Sequence, residues 1–148
     1  MDAVSPKEQF LARLAQPASN DAFAAHRAAA LNTLAAQEVP TTRVEAWKYT
    51  RVAKLFKKEY LPAQADVSVD ISQYLLPGLE TNKLVFVDGL YRADLSDAAA
   101  VEGATVLPLS QAGGLDAVKQ HFNKATNLPS DVFTSMNTAY QTDGAVLM

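Results

Sequence analysis

The spacing of apolar residues changes at Pro62, and that change limits the chain to folds that mix helices with short strands. Before it, the apolar positions follow helical spacing. Phe10, Leu11 and Leu14 share one face, and Phe23, Ala30, Leu31 and Leu34 form a second stripe. Val52, Leu55, Phe56 and Tyr60 form a third. Ser5-Pro6-Lys7-Glu8 reads as a capping box with proline at the first helical position. Pro17 should end the first helix, Asn20 or Asp21 should cap the second, and Thr50 should cap the third. The alanine-rich run "AFAAHRAAALNTLAAQ" favours helix by propensity alone.

Beyond Pro62 the pattern differs. A turn of helix is expected near Asp70–Leu75. The run Leu84–Val87 meets Asp88-Gly89 and then Leu90-Tyr91-Arg92, a strong hairpin signal because Gly accepts the positive φ of a tight turn. "ATVLPL" (104–109) reads as another strand. Leu115, Val118 and Phe122 suggest a short helix. Val132, Phe133, Met136 and Tyr140 suggest another, stopped by Gly144, with a strand starting at Ala145. The fold class is therefore α+β, with a helical region over 1–80 and a small α/β segment over 81–148.

The chain closes on Ala145-Val146-Leu147-Met148, an apolar strand with an edge to offer. The expectation is a fragment of a longer protein, cut where a strand enters a sheet. As an isolated piece it should form a homodimer or aggregate through this end.

Charge is uneven. The net value is −3, which argues against a generally basic nucleic-acid binder, yet residues 41–60 hold six Lys/Arg against Glu45 and Glu59. That segment is +4 and the remainder is −7. Inside it lie Trp47, Lys48 and Tyr49. Aromatics among cations could stack on single-stranded nucleic acid, so a small nucleic-acid-binding module over 43–58 is the alternative reading. The cations follow helix spacing, however, and the simpler assignment is a solvated face with Trp47 as a core or intersubunit plug and Tyr49 helping to lock the helices.

Chemistry is sparse. With no cysteine, the chain has no disulfide, thiolate ligand or cysteine nucleophile. His26 and His121 stand far apart and outside any metal-ligand spacing. Gly113-Gly114 before a helix is a weak phosphate signal without a Lys-Ser/Thr partner. No catalytic, cofactor-binding or metal residue is assigned, no cofactor is expected, and the chain is not expected to be an enzyme. The residues singled out are structural or interface candidates: Trp47, Lys48, Tyr49, Ala145, Val146 and Leu147. No apolar run approaches the ~20 residues of a membrane span, and no signal peptide is apparent, so no membrane association and a cytoplasmic location are expected.

"VPTTRVEAWKYTRVAKL" resembles the N-terminal region of the SufB/SufD family, scaffold subunits of the Suf iron–sulfur cluster assembly system. "LVFVDGLYRADLS", "ATVLPLSQA" and "FTSMNTAYQTDGAVL" follow in the family's order, so the resemblance spans about residues 39–147. The SufD branch fits better than SufB. The resemblance implies a helical N-terminal region leading into a right-handed parallel β-helix, pairing with a SufB-like subunit through that β-helix, and a C-terminal region that binds the SufC-like ATPase. The β-helix core, the ATPase-binding helices and the cluster-related residues would lie beyond Met148, so none is assigned here.

Overall fold

The computed structural model describes residues 5–14, 21–60, 67–97, 102–124 and 131–148. Pro17, Asn20 and Pro62 lie outside the described residues. The elements run α1 (Pro6–Leu11), α2 (Ala24–Ala36), β1 (Phe86–Val87), β2 (Leu90–Tyr91), β3 (Val106–Pro108), α3 (Leu109–Ala112), α4 (Asp116–His121), α5 (Val132–Tyr140) and β4 (Ala145–Leu147), with 3₁₀ turns at Glu45–Trp47, Val52–Lys57 and Ser72–Tyr74. Helices and short antiparallel strands make this an α+β chain.

It divides into two compact units. The first takes the described parts of Met1–Ser19, Ala24–Pro62 and Leu128–Tyr140; the second takes those of Asn20–Phe23, Ala63–Asn127 and Gln141–Met148. The units thus interleave along the sequence, and no single cut near residue 80 separates them.

The first unit is helical. The capping box forms as expected: Ser5 Oγ accepts from Glu8 N at 3.2 Å, and Ser5 N donates to Glu8 Oε2 at 2.7 Å. These bonds hold the Glu8 carboxyl below its ordinary pKa. The main packing is α2 on α5, where Leu34, Val132 and Ala139 are buried together and Ala30, Leu31, Phe133 and Met136 pack around them. Ala139 is fully buried and small, which lets the two helices approach closely. The fourth residue of the expected stripe, Phe23, does not join it. Phe23 lies one residue before α2 and belongs to the core of the second unit.

Two further expectations are corrected here. The third helix is a 3₁₀ turn preceded by Arg51, with no side-chain cap, so Thr50 is not its cap. Val52 and Phe56 are nevertheless buried as their spacing suggests. Helix α5 ends at Tyr140, ahead of Gly144, and the backbone is extended from there into β4.

The second unit is built from hairpins and turns. Asp88 and Gly89 both take positive φ, 51° and 81°, the pattern of a type I′ turn, and join β1 to β2 in the register Phe86↔Tyr91 and Val87↔Leu90. Strand β4 forms where expected but pairs within the chain: Val106↔Leu147, Leu107↔Val146 and Pro108↔Ala145, antiparallel. One edge of β4 is therefore occupied by β3. Phe23, Leu109, Ala112 and Val118 form the core here, with Leu107, Phe122 and Val146 against it. Gly113 has a packing role. A Cβ at that position would lie 2.7 Å from the Ala22 Cβ, so only glycine lets these segments meet.

Candidate interaction surface

The stretch from Pro40 to Arg51 is a succession of turns. Thr41 Oγ1 accepts from Arg43 N, Thr41 O from Val44 N at 3.0 Å, and Val44 O from Trp47 N at 2.9 Å. This sets the Trp47 ring against Phe133 of α5, with centroids 5.2 Å apart and planes 34° from parallel. Trp47 is half-buried, so it clasps α5 from the side and is not a fully enclosed plug. Tyr49 behaves differently from expectation. It is 91% exposed and does not lock the helices; its ring lies 5.7 Å from Lys48 Nζ. Lys48 also reaches Glu45 at 3.8 Å along the turn. Arg43, Lys48, Arg51, Lys54, Lys57 and Lys58 are all exposed, as a solvated face requires.

The Val52–Lys57 turn also contributes to a cleft of about 250 Å³ in the first unit, lined by apolar and aromatic side chains that include Phe10, Leu55, Phe56, Tyr60, Phe133 and Met136. Phe10 meets Phe56 and Tyr60 edge-on, at 5.2 and 5.7 Å. The rings that wall the cleft are thus mutually braced in the geometry their quadrupoles favour.

In the second unit Ala145 and Leu147 point outward, Leu147 at 73% exposure, while Val146 turns towards the core. A strand alternates its faces, so one of the three interface candidates serves folding and two remain at the surface.

Residues that pattern reading passed over prove to be the pins of the structure. Lys7 is buried on α1 and its ammonium donates to Leu34 O and Ala35 O, both at 3.0 Å, and to Gln37 O. A cation there meets the open carbonyls at the end of α2 and its negative dipole end. The partners are more than 25 residues away in sequence, so no local spacing could reveal them. Asp143 accepts from Ser110 N at 2.9 Å and from Ser110 Oγ at 2.7 Å, which caps α3 from across the unit. Thr142 Oγ1 donates to Gly89 O at 2.9 Å and ties down the hairpin turn. Leu109 N donates to Gly144 O at 2.7 Å. "TDG" is therefore a brace in which each residue holds a different neighbour.

"YRADLS" works similarly. Arg92 grips Asp94 with Nε and Nη2 at 2.8 and 2.7 Å and donates from Nη1 to Val67 O. The Arg92 side chain holds the Asp94 carboxyl below its usual pKa. Ser96 Oγ donates to Arg92 O and accepts from Val85 N. Among the described residues no group of three or more His, Asp or Glu converges as a metal site would require. His121 closes α4, where its position suits the helix dipole.

Residues 9–148 match the model of the SufBD protein N-terminal region. An iron-sulfur cluster assembly SufBD family protein from Synechocystis sp. is 27% identical over 130 residues, covering 82% of this chain and 28% of that protein. Iron-sulfur cluster assembly protein SufD from Escherichia coli is 35% identical over 68 residues, covering 46% of this chain and 16% of that protein. The chain thus spans less than a third of the length of these curated relatives. The match across nearly all of its residues means that this chain belongs to the SufB/SufD family, of which it carries the N-terminal region.

Proposed function

We propose that the chain serves iron–sulfur cluster assembly as a non-catalytic scaffold segment of a SufD-like subunit, working in a complex with SufB-like and SufC-like partners in the cytoplasm. The observation that carries this reading is the family match over residues 9–148, supported by two relatives whose names state iron–sulfur cluster assembly. The geometry is consistent with a scaffold. The stretches shared with the family are occupied in internal bracing: Arg92 holds Asp94, Thr142 holds the Gly89 turn, and Asp143 holds Ser110. Residues spent in this way position a fold and are not aimed at a substrate. No described helix is long and apolar enough to cross a membrane. In the parent protein the chain would lead into a right-handed parallel β-helix.

Co-expression with the SufB-like and SufC-like subunits of the same organism tests the reading. The expected result is a complex that co-elutes through size exclusion and loses cluster-assembly activity when the SufD-like subunit is omitted. Elution apart from both partners, with assembly unimpaired by the omission, would overturn it. The nucleic-acid alternative is the weaker one, because Trp47 already stacks on Phe133.

A further inference from the structure

We infer that the cleft of the helical unit is a docking site for an acidic protein segment that inserts one bulky apolar side chain. This rests on the scaffold reading only in placing that segment on a partner subunit. The cleft is apolar, and it stays open because Leu55 and Tyr60 are each 45% exposed at its mouth. Its volume of about 250 Å³ suits one or two apolar side chains. That is smaller than the roughly 300–1,000 Å³ of small-molecule sites, and bulky apolar anchors seated in pockets are what dominate protein interfaces.

Charge selects the occupant. The 3₁₀ turn that supplies Leu55 and Phe56 to the cleft interleaves them with Lys54, Lys57 and Lys58, and Arg51 precedes it, all exposed, with Glu59 the one acidic residue among them. An apolar cleft with one wall supplied by a cationic turn favours an anchor flanked by carboxylates, both by steering the encounter and by disfavouring basic segments. Double-stranded nucleic acid would use the cations and leave the apolar cleft unfilled.

Trp47, the single tryptophan, provides the readout, because its ring stacks on Phe133 and Phe133 lines the cleft. The probe is a synthetic acetylated heptapeptide with leucine at its centre and glutamate on both sides. Titrated into the whole chain at low salt, it should change Trp47 fluorescence saturably. Serine in place of the leucine, or lysines in place of the glutamates, should weaken binding about tenfold or more. The Lys54→Glu, Lys57→Glu double variant should weaken it similarly, with an unchanged circular dichroism spectrum showing that it still folds.

Equal binding of the lysine-flanked peptide, or no saturable signal at millimolar peptide, would overturn the inference. So would a fluorescence change driven by oligonucleotide with a steep salt dependence. A particle mass that rises with protein concentration and saturates the same signal would assign the cleft to a second copy and overturn it equally. Each of these outcomes leaves the co-elution test of the scaffold reading unaffected.

Discussion

The two units reach order by different means. The helical unit is held by apolar contact between elements far apart in sequence: Leu34 of α2 against Val132 and Ala139 of α5, with Trp47 and Phe56 against Phe133. The hairpin unit has an apolar core of its own, and its turns are in addition fixed by side chains that bond to them directly, namely Thr142 to Gly89, Asp143 to Ser110, and Arg92 to Asp94 and Val67. Strands of two or three residues bury too little to hold themselves, so polar pins supplement the core.

The contrast can be broken first at its apolar end. Leu34 is completely buried between α2 and α5. Leu34→Ala should destabilise by about 2–5 kcal/mol, read as a fall in the urea midpoint with the slope unchanged. Lys7→Met should come next. It keeps the apolar stem but removes the ammonium from the carbonyls at the end of α2, a loss of about 1.5–3 kcal/mol for bonds to a charged group. If Lys7→Met is neutral, the end of α2 is satisfied some other way and Lys7 is a passenger.

The polar end should yield less. Asp143→Ala removes the cap on Ser110 and should destabilise by about 0.5–2 kcal/mol. Trp47→Ala should fall in the same range, about 0.5–1.5 kcal/mol for a half-buried aromatic pair. Lys48→Ala and Tyr49→Ala, at exposed side chains, should stay within about 0.5 kcal/mol of neutral. Equal shifts for Trp47 and Tyr49 would show that the Phe133 stack contributes nothing.

Acid sharpens the comparison by the smallest step. Glu8 is lowered chiefly by Ser5 backbone and side-chain bonds, Asp70 by those of Ser72, and Asp94 by Arg92. A carboxyl whose folded pKa is depressed contributes stability that is fully present above its ordinary pKa and lost as pH falls through the lowered one. The contribution of these three groups should therefore be constant near neutral pH and decline as pH falls into and below the usual carboxylate range. The Asp94 share of that decline should disappear in Arg92→Ala, measured by thermal melts across that range. All three groups are exposed, so each effect is small.

What could be read from sequence divides along the same line. The Ser5–Glu8 box, the Asp88-Gly89 turn, the α5 stripe and the β4 strand are local patterns, and all four are present. The resemblance of the Trp47 and "TDG" stretches to the SufB/SufD family was likewise legible, and the family match bears it out. Lys7 was not legible, because its partners lie in another helix, nor was Phe23, whose helical spacing suited one core while tertiary packing drew it into the other. The 3₁₀ form of Val52–Lys57 escaped because propensity says little about a short, uncapped, highly cationic turn. Tyr49 was misjudged because adjacency to Trp47 says nothing about which way a turn residue faces.

The central claim is that the turns of the hairpin unit depend on polar pins, whereas the α2–α5 packing of the helical unit depends on apolar contact. Native-state hydrogen exchange on Asp143→Ala tests it most directly, with amides followed individually. The account predicts faster exchange at Leu109 and Met148, whose amides bond to Gly144 O and Thr105 O, with little change at Ser135 and its neighbours in α5. Uniform acceleration in both units, or none in either, would contradict it.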